Sequence, residues 1–354
     1  MIRALAAATA ALALAASCLA PPPPIVVSTP RGVVRAHSHP DAAATAALLE
    51  ELAPGVRALL PGSQDRSVEV WVQQDLQLFR FGTRPSSVRG FTYLAAPFRA
   101  RRIHLQSGGA TRWYLSHELV HALIDSSWAT LPAVLEEGLA DAVAERLNPN
   151  ERTSIRAHRL LDASAFTGGL EVLLGYEQQT PTGNRRRELP VRIHFHPDET
   201  PQTALELLDT GRRGLFSSRG TVAESYYGFA WLVVDRIVAR RGFDGLHALC
   251  LEASEKGLEH IPAEELLAAA EIDLARLDPD FLASCFTRDE FRRALSIRPA
   301  AFAEVPLNLL DGLRDELDAH DLLVRARPTF AIAHQEPWPL LAIPSLREAL
   351  LATW

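Results

Sequence analysis

The chain has 354 residues, enough for one large domain or two smaller ones. Hydrophobic residues make up 47% and charged residues 22%, so a sizeable core can form and wholesale disorder is excluded. The formal charge of −7 carries no basic footprint and argues against a nucleic-acid partner.

Met1-Ile2-Arg3 and the apolar run Ala4 to Ser17 read as a secretory signal over residues 1–18. A spanning helix needs about 20 apolar residues, and this run is shorter. Ala15-Ala16-Ser17-Cys18 resembles a bacterial lipobox, with its usual leucine shifted to Leu14. The resemblance implies lipidation at Cys18 and an envelope protein anchored to the membrane; plain secretion is the alternative. Residues 19–31, with Pro21 to Pro24, read as a stiff tether.

Val33 to Ala36 reads as a short strand. Asp41 to Leu60 reads as an Ala- and Leu-rich helix stopped by Pro61-Gly62. Ser67 to Gln73 alternates around Val68, Val70 and Val72 and reads as a strand, and Arg102 to Gln106 as another, ended by Gly108-Gly109. From Arg112 the period turns helical. Helices are expected at Arg112 to Ser126 and Leu131 to Leu147, with Pro132 suited to a first turn. Gln178 to Gln202 is polar and proline-containing, a loop with one candidate strand at Val191 to Phe195; Gly211 to Gly220 is a second loop. Ala223 to Arg241 reads as a long amphipathic helix, shorter helices follow, and prolines return after Arg298. Cys250 and Cys285 form either one disulfide or two buried thiols. Arg101-Arg102 and Arg185 to Arg187 read as solvated loop charge.

Residues 117–121 read His-Glu-Leu-Val-His. Residues four apart share a helix face, so His117 and His121 can turn imidazole nitrogens toward one ion. Glu118 sits where a carboxylate can take a proton from an attacking water. A catalytic zinc site needs a third protein ligand and an open position. The next helix carries Leu135-Glu136-Glu137-Gly138-Leu139-Ala140-Asp141. Glu137 follows His121 by 16 positions, room for one turn between two packed helices, and Asp141 shares its face. A carboxylate at Asp141 can bond the other ring nitrogen of a ligand histidine and fix its tautomer. Glu136 competes with Glu137 as the third ligand. The pairs His194/His196 and His37/His39 have strand-face spacing, and His104 precedes the motif helix; these are lesser candidates.

His-Glu-x-x-His followed by Glu-Gly-x-Ala on the next helix resembles the gluzincin metallopeptidases, the thermolysin-like or peptidase MA group. The resemblance implies one zinc ion per chain, held by His117, His121 and Glu137, with Asp141 orienting His117 and Glu118 as the general base. It implies that Arg102 to Leu105 is an edge strand leading into the active-site helix. Ser225-Tyr226-Tyr227-Gly228-Phe229-Ala230 is similar to the family's tyrosine-bearing helix, so Tyr226 or Tyr227 would stabilise the oxyanion; spacing to Gly242 favours Tyr227. The implied fold is α+β: a small mixed sheet part over residues 32–110, a mostly helical zincin-like catalytic part over 111–260, a cleft between them, and an extension over 261–354. The implied activity is endopeptidase action on a peptide or protein substrate at the cell envelope. The aminopeptidase motif Gly-x-Met-Glu-Asn is absent, since Met1 is the only methionine. The metzincin pattern would need glycine and histidine where Ile124 and Ser127 stand. Two alternatives remain open: a non-catalytic envelope lipoprotein using this fold as a binding module, and hydrolysis of a non-peptide amide such as a wall cross-link. On the family assignment, loss of Glu137 weakens metal binding and loss of Glu136 does not.

Overall fold

Alternating apolar residues build a five-stranded mixed sheet. Its strands are β1 (Ile25–Thr29), β2 (Gly32–Ala36), β3 (Val68–Gln73), β4 (Gly90–Tyr93) and β5 (Arg102–Gln106). The computed structural model describes residues 22–74, 77–78, 86–87, 90–93, 102–108, 112–167, 170–180, 183–194, 208, 222–274, 277, 279–297 and 302–304. The leader with Cys18, Arg101, His196, the 211–220 loop and residues 305–354 lie outside the described residues. The sheet order is β1-β2-β3-β5-β4. Strands β2, β3 and β5 run parallel, and β1 and β4 are antiparallel to their neighbours. Val34, Ala36, Val68, Val70, Val72, Ile103 and Leu105 are buried on one face, as the period of two requires. On the other face Glu69 Oε1 accepts from Arg35 at 3.1 Å, and its Oε2 accepts from Arg102 at 3.0 Å. Helix α1 (His39–Leu59), capped by the Ser38 hydroxyl, buries Leu49, Leu52 and Val56 in the same core.

Two expectations are corrected here. Residues 25–29 fall in the stretch read as a tether, yet they form β1. The β-branched run Ile25-Val26-Val27 follows directly on the prolines, and Thr29 Oγ1 accepts from the Arg31 and Gly32 amides at 3.1 Å, closing the turn back onto β2. Arg102 to Leu105 is not an edge strand. His104 pairs with Trp71 on one side and Phe91 on the other, so among the described residues the edge beyond β5 is β4.

The helical part begins with α2 (Arg112–Leu123), α3 (Ala133–Leu147) and α4 (Arg152–Ala163). Helix α5 (Val222–Glu255) is broken at Gly242, whose φ of 69° suits glycine, so its first segment ends where the sequence pattern does. Three short helices follow: α6 (Ala263–Ala270), α7 (Pro279–Cys285) and α8 (Arg288–Ile297). A second sheet interrupts this part. Strands β6 (Leu170–Thr180) and β7 (Gly183–His194) pair antiparallel along their whole length, and β8 (Phe302–Glu304) adds to β7. The polar run through Gln178 and Arg187 therefore lies in a hairpin rather than the expected loop. Two strands satisfy each other's backbone groups whatever side chains they carry.

The fold is α+β. One contiguous buried core runs from Val34 to Ala294, shared by residues of the 32–110 part, the 111–260 part and the start of the extension. Cys250 and Cys285 are both free thiols, and burial pushes Cys250 up to about 12. No helix among the described residues is long and apolar enough to cross a membrane.

Arg156 on α4 ties α8 to the helices behind the motif. It pairs with Glu145 of α3 at 3.4 Å, Asp235 of α5 at 3.0 Å and Glu290 of α8 at 2.6 Å. Helix α5 meets α3 and α4 backbone against backbone at two glycines. A Cβ on Gly138 would lie 2.4 Å from the Ala230 carbonyl, and one on Gly228 would lie 2.2 Å from the Ala163 nitrogen. Gly138→Ala is therefore expected to destabilise the chain by about 3 kcal/mol, the upper end of what overpacking costs. Denaturant unfolding measures this, and an unchanged midpoint would contradict the packing described.

Candidate metal centre

Helix α2 buries Leu115, Leu119, Val120 and Leu123 and turns His117 and His121 toward α3. Helix α3 answers with three acids: Glu136, Glu137 and Asp141. His117 Nε2 lies 3.2 Å from Glu137 Oε2, His121 Nε2 lies 3.4 Å from the same oxygen, and the two Nε2 atoms are 3.3 Å apart. A tetrahedral ion with bonds of about 2.0–2.1 Å to nitrogen and oxygen separates its ligand atoms by about 3.3–3.4 Å. The triangle fits such an ion, and its donors, two imidazoles and one carboxylate, leave a fourth position open. Among the described residues it is the one group of three such donors brought together.

The remote ring nitrogens explain why both histidines present Nε2. His117 Nδ1 lies 3.0 Å from Asp141 Oδ1, and His121 Nδ1 lies 2.8 Å from Glu136 Oε1. A carboxylate accepts and never donates when ionised, so each Nδ1 carries a proton and each Nε2 faces the triangle, where its lone pair is held by a proton or left for a cation. Adjacent helix positions diverge by about 100°, which is how Glu137 reaches the triangle while Glu136 reaches around His121. Glu136 thus bonds the remote nitrogen of His121 and stands outside the triangle, which Glu137 completes. Asp141 is fully buried and anchored in turn by Arg159 of α4 at 2.6 Å, which also pairs with Asp162 at 3.0 Å.

The electrostatics follow from burial and these partners. Burial works against a charged His117, but Asp141 and Glu137 outweigh it and raise its pKa to about 9. Burial likewise opposes ionisation of Glu137, yet His121 and His117 hold it well below the usual carboxylate range. Asp141 is brought to about 2 against burial by Arg159 and His117. A proton and a cation compete for the same lone pairs, so metal uptake releases protons. Glu118 is buried beside the triangle and its pKa is raised, by burial above all.

Tyr227 lies within the field of these acids: the Glu137 charge and burial raise its phenol pKa, and the Arg159 guanidinium sits 5.1 Å from its ring centre. Tyr226, one position earlier on the helix, packs in the hydrophobic core at 4% exposure. His104 lies on the polar face of the sheet, with Nδ1 2.6 Å from Gln73 Oε1, and burial lowers its pKa to about 4. His37 and His39 are exposed and join no such group among the described residues. The side chain of His194 lies outside the described residues. Three residues escaped sequence reading: Glu136 in its role on His121, Arg159, and Thr92, whose hydroxyl meets Glu118. Only Glu136 had a signal, its place beside Glu137.

No protein-family model, curated protein or solved structure matches this chain.

Chelator competition on the purified chain ranks the two acids. Glu137→Ala is expected to weaken zinc binding at least a hundredfold, and Glu136→Ala about tenfold, the range for partners that orient a ligand. The reverse order would exchange their roles.

Proposed function

We propose that the chain is a zinc-dependent metallopeptidase of the gluzincin kind, built on a zincin-like arrangement of mixed sheet and paired helices. The observation that carries this reading is the His117, His121 and Glu137 triangle, with a carboxylate on the far nitrogen of each histidine and a fourth carboxylate, Glu118, beside it. Zinc, when held by the three ligands, supplies a Lewis acid for the scissile carbonyl and lowers the pKa of water toward neutrality. Glu118 takes the proton of the attacking water and passes it to the leaving amine. Its raised pKa suits a group that must both accept and return a proton near neutral pH.

Tyr227 keeps its phenolic proton, because Glu137 and burial both disfavour the phenolate, and donates it as a hydrogen bond to the developing oxyanion. Strand β4 offers the sheet's free edge beside α2, where an extended polypeptide can add as a further strand. That mode suits an endopeptidase, and the lipobox-like Ala15 to Cys18 suits action at the bacterial envelope, with Cys18 as the lipid anchor. A binding module would not require a buried carboxylate set against two ligand histidines.

Glu118→Ala separates catalysis from metal binding. It is expected to retain zinc and the wild-type fold while its cleavage of a susceptible polypeptide falls at least about a hundredfold, the lower bound for general acid–base catalysis. Cleavage at the wild-type rate would refute the assignment of Glu118 as the base.

A further inference from the structure

Strand β4 touches Glu118 at two positions, Gly90 and Thr92, which lie two residues apart and so on one face of the strand. The Thr92 hydroxyl donates to Glu118 Oε2 at 2.7 Å and lies 3.1 Å from the Glu118 backbone oxygen. Gly90 covers the same side chain: a Cβ built there would be 3.3 Å from Glu118 Cγ and Oε1, and 3.1 Å from Leu105 Cδ2. Among the described residues, Thr92 supplies the one hydrogen bond to this carboxylate. The last torsion of a glutamate is broad and close to two-fold, so packing alone sets a carboxylate plane poorly. A donor fixed on one oxygen sets it well.

We propose that Thr92 is the positioning residue of the general base. Its hydroxyl holds Oε2 and so sets the plane in which the carboxylate takes the proton from the attacking water. Gly90 is the companion device, because any side chain there would press on the carboxylate that Thr92 orients. Since β4 is also the edge an extended polypeptide would join, substrate and base are registered to one strand. This inference rests on the reading of Glu118 as the base.

The test needs no knowledge of the natural substrate. The full-length chain is loaded with cobalt, and acetohydroxamic acid is titrated against its visible absorption. This acid binds a metal as its anion, passing its proton to a carboxylate held nearby, so Glu118→Gln provides the reference for a missing base. Thr92→Val is expected to weaken acetohydroxamate binding about tenfold, or about 1.4 kcal/mol. Thr92→Ser is expected to bind as the wild type does. The cobalt spectrum before titration and the melting temperature should match wild type in both variants, which a merely structural role for the hydroxyl would not combine with a binding loss. Wild-type binding by Thr92→Val, with Glu118→Gln weakened, overturns the inference and leaves the base assignment standing. Equal weakening in Thr92→Val and Thr92→Ser also overturns it, because the hydroxyl is then not the active group. Wild-type binding by Glu118→Gln overturns the base assignment and this inference with it.

Discussion

Three acceptor atoms face one another across 3.2 to 3.4 Å between α2 and α3, and the surrounding structure is organised to hold them there. Two imidazole lone pairs and a carboxylate oxygen repel at that distance unless a proton or a cation lies among them. The chain does not relieve the repulsion by turning the rings. It fixes them, with Asp141 on one Nδ1 and Glu136 on the other. Burying so many carboxylates is costly without partners. Each therefore has one: Arg159 for Asp141, His121 for Glu136, Thr92 for Glu118.

Backbone packing sets the frame for these side chains. Gly138 follows Glu137 directly and lets α5 approach α3 to within contact of its backbone; Gly228 does the same for α4. Tyr227 lies next to Gly228, so the contact that closes the helical layer also brings the phenol into the field of the acids. Arg159 and Arg156 sit on one helix, three positions apart. The first anchors Asp141, and the second gathers Glu145, Asp235 and Glu290. Helix α4 thus links Asp141, behind His117, to α8, far along the chain.

Local sequence marks carried part of this. The His-Glu-x-x-His and Glu-Gly spacings are helical arithmetic, legible because His117 and His121, like Glu137 and Asp141, stand four apart and a short connection joins their helices. Valine alternation reveals β3, the short run Val33 to Ala36 reveals β2, and Gly242 marks the end of the first segment of α5. What was not legible depends on pairing at long range. Strand β4 is short, and its edge position is defined by the register of Phe91 with His104, which the residues of β5 alone do not reveal. The β6–β7 hairpin hides beneath polar composition. Arg159 reaches Asp141 through the packing of α4 on α3, for which no local motif exists. Glu136 is visible as an acid beside Glu137, but only the rotation of α3 against α2 shows that it serves His121 Nδ1.

The account stands or falls on one ion held at one place. Elemental analysis of the purified chain, beside a His117→Ala variant, tests this most directly. The account predicts about one zinc per wild-type chain and none retained by the variant after dialysis. A folded wild-type chain that takes up no zinc, or a variant that holds it equally well, would contradict the metal centre and the peptidase reading built on it.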